Sequence, residues 1–267
     1  MWTAPRGLHN RVFTVLVAAL IVLAWLALWL WSASPYAPYL NHEELGHLVL
    51  GGIGGRFVLE YALLLALFVS GWMLMIVAMM LPTSLPLVLL FERFTHQRSD
   101  HLLLIALLLC GYISVWTLFG ALAFFNDLFI HEAVEHTSWL EANSWVIGAG
   151  TLMLAGVYQF APLKYRCLER CRSPLSFIAE HWRGRREAPH AFLLGVHHGL
   201  FCLGCCWSLM LVMFAVGAGN LLWMVLLGAV MGVEKNVSWG RRISAPVGVA
   251  LICWAAAISL GWGAALQ

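Results

Sequence analysis

Three cysteines, Cys202, Cys205 and Cys206, lie within five residues in the run HHGLFCLGCCWSLM, one turn after a histidine pair. On a helix at about 100° per residue, His198, Cys202, Cys205, Cys206, Met210 and Met213 share an arc of roughly 140° with Gly195 and Gly199, while His197 points almost the other way. That face offers an imidazole, three thiols and two thioethers without a carboxylate. Soft donors of this kind select Cu(I), or zinc where thiolates dominate, over hard cations. Glycines four apart let a neighbouring helix approach closely. The competing reading is apolar filler, since cysteine and methionine both pack well; a histidine inside a membrane, by contrast, is costly and a functional candidate.

A second sulfur face comes from WMLMIVAMMLP, residues 72–82, where Met75 and Met79 share one helix face and Met73 and Met80 another. Counting inward from the periplasmic end places Met73 and Met75 near the depth of Cys202, so a shared site is geometrically possible, although methionine at this spacing is more often plastic core. A third element is QFAPLKYRCLERCRSP, residues 159–174, in which Cys167 and Cys171 are four apart amid Lys164, Arg166, Arg170 and Arg172. Positive neighbours favour the thiolate, and two convergent thiols suit two-coordinate Cu(I), so these two are expected to form a separate cytoplasm-facing clip.

Two further patterns bear on chemistry. HEELGH (His42–His47) and HEAVEH (His131–His136) look like zinc-protease motifs, but their histidines are five apart and diverge by about 140° on a helix. Glu43–His47 and Glu132–His136, four apart, are instead candidate two-ligand clips, which ordinary loop polarity explains equally well. Glu234 and Lys235 are adjacent and cannot face each other, so each needs a partner on another helix. Lys164 is the match for Glu234, as a structural ion pair.

Taken together, AMMLP, GYISVW, AGVYQFAPLKYRCLERCRSP, HHGLFCLGCCWSLM and the Glu234–Lys235 pair resemble a bacterial family of unknown function described as predicted metal-binding integral membrane proteins. The resemblance spans about Gly71 to Trp239. It implies metal binding within a membrane and names neither the metal nor a reaction.

The elements that must position these residues follow from composition. The 267 residues are 62% hydrophobic and 10% charged with a mean hydropathy of +0.84, whereas soluble domains are about 45–50% apolar and roughly 25% charged. A soluble globule is excluded. The 14 tryptophans suit helix ends in two headgroup belts. A net charge of +2 with no Gly-rich phosphate loop gives no sign of nucleic acid. Apolar runs at about 12–31, 57–81, 102–125, 144–162, 191–216, 220–233 and 243–263 predict an all-α polytopic membrane bundle of about seven transmembrane helices. The first run lies behind Arg6 and Arg11 and is too long for a signal peptide, so it is an anchor. The second runs on through Pro82 and Pro86 to about Phe91 and is expected to break near its inner end. Residues 1–56 then form an anchor helix with a periplasmic loop, and 57–267 a six-helix metal-binding domain.

With the amino terminus cytoplasmic, all of the 15 Lys and Arg except Arg56 fall on the inner side, the pattern of a bacterial inner-membrane protein. The cysteines named above then lie in the cytoplasmic half or mid-membrane, where a reducing compartment argues against structural disulfides. Three functions follow. The first is Cu(I) handling, by transport, chaperoning or metal insertion, through a Cys/Met/His site between the second and fifth runs, with a soluble or periplasmic metal-handling partner. The ligand candidates are Cys202, Cys205, Cys206, His198, Met75, Met79, Met210, Cys167 and Cys171. The second is a membrane thiol oxidoreductase using Cys202–Cys205, which lacks any sign of a haem or quinone site. The third is a membrane metalloenzyme, which lacks a carboxylate at the depth of the cysteines.

Overall fold

The computed structural model describes residues 6–34, 57–182, 187–216 and 220–261, and every regular element among them is helical. In chain order these are α1 (Arg6–Ser32), α2 (Phe57–Met75), a π-helical turn (Ile76–Met80), α3 (Leu81–Thr95), α4 (His101–Glu135) and the short α5 (Ser138–Ala142). There follow α6 (Trp145–Tyr158), α7 (Pro162–Arg172), α8 (Pro174–His181), α9 (Glu187–Val216), α10 (Leu221–Asn236), a 3-10 turn (Gly240–Ile243) and α11 (Ser244–Ser259).

Each of the seven apolar runs is largely helical where described, but among the described residues fewer than seven stretches are long and apolar enough to cross a membrane. Five described stretches are long and apolar enough to cross a membrane: Phe13–Ser32, Leu65–Thr95, His101–Val134, Glu187–Met213 and Gly240–Ser259. A sixth exists only if α6 and α7, bent by 65° at their junction, count as one. With 16 residues, α10 falls short of the roughly 20 that a full crossing needs. Leucines such as Leu16, Leu102, Leu118 and Leu222 point outward, whereas Lys164, Glu234, His198 and the Cys202 group are buried. That distribution is compatible with lipid contact around a polar interior.

The centre is a tight pairing of α9 with α4. Gly195 lies by Leu108 and Gly199 by Val115, so the numbering climbs together and the two helices run parallel. A Cβ at Gly195 would fall 2.0 Å from the carbonyl oxygen of Leu108, so only glycine permits this approach. At the amino end of the pair, Arg98 Nε donates to Asp100 at 2.8 Å and its Nη1 to Glu187 at 2.6 Å, tying the α3–α4 turn to the start of α9. The Arg98 hydrogen bond holds the Asp100 carboxyl below its usual range.

The expected break at Pro82 and Pro86 does not occur, because the backbone adapts before reaching them. Pro82 has no N–H, so the carbonyl of Ala78, four residues earlier, loses its ordinary helical donor. The Trp25 indole of α1 supplies one in its place, at 3.1 Å. The turn just before widens, with the Leu81 N–H reaching back five residues to Ile76. Pro82 itself sits in the first turn of α3, where its missing donor costs little. The span therefore continues to Thr95.

Candidate metal centre

The 30-residue α9 stays helical through Gly204, so the local unwinding that would aim three thiols at one atom is absent. The Cys205 and Cys206 thiols instead back-bond to the carbonyl of Cys202, at 3.1 and 2.8 Å. Cys202 meets the Tyr112 hydroxyl of α4 at 3.2 Å, and the Cys206 Sγ lies 3.7 Å from the Met80 Sδ. The methionine that reaches the cysteines is thus Met80. Met75 and Met79 are buried in the same core, with Met79 packed against Gly228, and Met210 is fully buried one turn beyond Cys206. The reason is the π-turn: one extra residue rotates the succeeding helix by about 100°, which a constant helical period does not show. Pro82, two residues after Met80, is the signal that the sequence offers.

At the middle of these sulfurs is a residue that sequence spacing marks only as half of a charged pair. Lys235 of α10 is buried, and its Nζ lies 2.9 Å from the Cys202 Sγ, 3.2 Å from the Thr83 Oγ1, 3.8 Å from the Met80 Sδ and 3.9 Å from the Cys206 Sγ. Three sulfurs from two helical segments therefore surround one buried point. Among the described residues no three side chains of His, Cys, Asp or Glu form a ready metal site. Helix geometry explains this, since Cys202, Cys205 and Cys206 fan out from one face and the third sulfur belongs to a methionine.

The two inner-loop thiols do not stand apart from the core: both pack toward the cysteines of α9. Because α7 is bent by 65° from α6, it lies against α9, and Cys171, half-buried, packs on the cluster that holds Cys202, Cys205 and Cys206. Cys167 packs on the hollow left by Gly204, where a Cβ would come 2.6 Å from its Sγ. All seven cysteines are free.

His198 faces the same region as expected, with its Nε2 3.1 Å from the Ser84 Oγ and its ring stacked on Tyr112. His197 turns to the other side, 4.9 Å from the His181 ring. The expected ion pair is present: the Lys164 Nζ donates to both oxygens of Glu234 at 2.8 Å, Gln159 takes another of its hydrogens, and Ser244 donates to Glu234 at 2.7 Å. On the outer segments Glu132 and His136 do share a face, exposed and 3.7 Å apart. His131 sits with Asp127, also at 3.7 Å, while Glu43, His42 and His47 lie outside the described residues.

The fold and this centre define an all-helical bundle with a soft, sulfur-lined interior point. Residues 69–258 match the family PpoB2, described as copper chaperone, and the chain belongs to that copper chaperone family. No curated protein and no solved structure gives a significant match.

Proposed function

We propose that the chain is a multi-pass inner-membrane protein that carries Cu(I) as cargo on Cys202, Cys206 and Met80 and delivers it to a soluble or periplasmic metal-handling partner. Cys205, Cys171 and Cys167 lie beside this set as further thiols that link it to α7, and His198 borders it. The observation that carries the reading is the convergence of the sulfurs of Cys202, Cys206 and Met80 to within 3.9 Å of one buried point. Thiolate bonds to a metal such as zinc run about 2.3 Å, so side-chain torsions alone bring these sulfurs onto an ion. Two thiols and a thioether suit Cu(I), and the groups that hydrogen-bond to the thiols include no carboxylate that would favour a hard cation. The copper chaperone family supports the same metal.

The test is metal analysis of the purified full-length protein together with a count of free thiols. The wild type is expected to retain about one copper per chain with its thiols reduced, and C202S/C206S to lose it while still inserting. His198→Ala should weaken retention more than His197→Ala. Copper retained equally by the double variant overturns the reading, and a disulfide without metal favours the thiol oxidoreductase.

A further inference from the structure

Lys235 is the group that the function above does not use, although it stands in the middle of the proposed donors. Its ammonium is buried with two thiols, a thioether and a hydroxyl within 3.9 Å. The nearest carboxylate in sequence, Glu234, is engaged by Lys164 and Ser244. A buried charge needs compensation, and here the compensation comes from sulfur. The point that these atoms surround is therefore built to hold a positive charge and is already filled by one.

We propose that Lys235 is a resident counter-cation that holds the copper position until cargo arrives, so that loading is an exchange of one single positive charge for another. The inference rests on the copper reading of the same site. Sulfurs cannot close on an ion while the ammonium lies between them, so Cu(I) displaces it along the flexible lysine stem. With Cys202 as the thiolate that receives the ammonium and Cys206 keeping the proton that it donates to the Cys202 carbonyl, exchange of the ammonium for a monovalent ion releases no proton and leaves the charge of the buried centre unchanged. A divalent ion adds an uncompensated unit, which the interior disfavours. The lysine thus makes the copper exchangeable and discriminates against zinc, which thiolates alone would accept.

The test uses the full chain in detergent and a Cu(I) chelator of known affinity. K235L, uncharged and without a donor atom of its own, is expected to bind Cu(I) at least tenfold more tightly than wild type and to retain zinc that the wild type releases. K235R should bind no more tightly than wild type. Affinity equal to or weaker than wild type in K235L, with copper binding still dependent on Cys202 and Cys206, overturns this inference alone. Copper binding indifferent to those cysteines overturns the copper reading beneath it.

A measurement on the unaltered protein covers the case of a misfolded variant. Lys164 and Lys235 are the two lysines of the chain. On loading with Cu(I), modification of Lys235 by a small amine reagent should rise several-fold, while Lys164, locked on Glu234, stays unreactive. Unchanged or reduced labelling of Lys235 contradicts displacement.

Discussion

Lys164 and Lys235 are both buried, 0% and 5% exposed, at the same end of the bundle, yet their surroundings differ in kind. The Lys164 ammonium is held by both oxygens of Glu234 and by Gln159, and Ser244 completes the carboxylate. Every donor and acceptor there has a strong partner, which is how a buried ion pair becomes a fixed part of a structure. Lys235, one residue along α10 from that carboxylate, has among the described residues three sulfurs and one hydroxyl as acceptors, at 2.9 to 3.9 Å. Adjacent positions on one helix face different ways, so a single turn of α10 presents a staple on one side and an exchangeable cation site on the other. The lesson is that burial of a charge does not say what it does; the hardness and completeness of its partners do.

The largest expected effect breaks the staple. Glu234→Gln leaves the Lys164 ammonium buried without its counter-charge, and loss of one partner of a buried pair costs about 3–5 kcal/mol. Denaturant unfolding in detergent should show a loss of that order, and the paired replacement K164M/E234L should recover most of it. Equal stability of E234Q and wild type would mean that the pair is not what holds α7 to α10. By contrast K235L removes a charge that has only weak partners, so its effect should appear in metal affinity more than in unfolding.

Much of this comparison was legible in the sequence, and the exceptions have specific causes. The Lys164–Glu234 pair followed from the rule that adjacent helical residues do not face each other. Opposition of His197 and His198, and close approach at Gly195 and Gly199, followed from helical spacing within an unbroken α9. Met80 was missed in favour of Met75 and Met79 because the π-turn shifts the register by one residue. That Cys167 and Cys171 pack toward the thiols of α9 was not legible, because the 65° bend that sets α7 against α9 leaves no periodic trace. The break expected at Pro82 was avoided by Trp25, a partner 53 residues from Ala78 that local rules do not reveal. Lys235 carried no local signal either, since its partners come from α9, α3 and the π-turn.

A smaller effect sharpens the contrast from the sulfur side. Trp25→Phe removes the donor to the Ala78 carbonyl and leaves a freed acceptor beside the turn that presents Met80. The expected loss is about 1–3 kcal/mol in stability, the cost of one unsatisfied buried group. Copper affinity should fall several-fold at the same time, whereas the E234Q effect on copper should be secondary to unfolding. If W25F loses stability without any change in copper affinity, the π-turn does not position a ligand.

The most direct measurement is X-ray absorption at the copper edge on the Cu(I)-loaded full chain. A sulfur-lined copper position predicts a coordination shell of sulfur alone, two or three atoms drawn from Cys202, Cys206 and Met80, that disappears in C202S/C206S. A shell dominated by nitrogen or oxygen, or a spectrum unaltered in that variant, contradicts it.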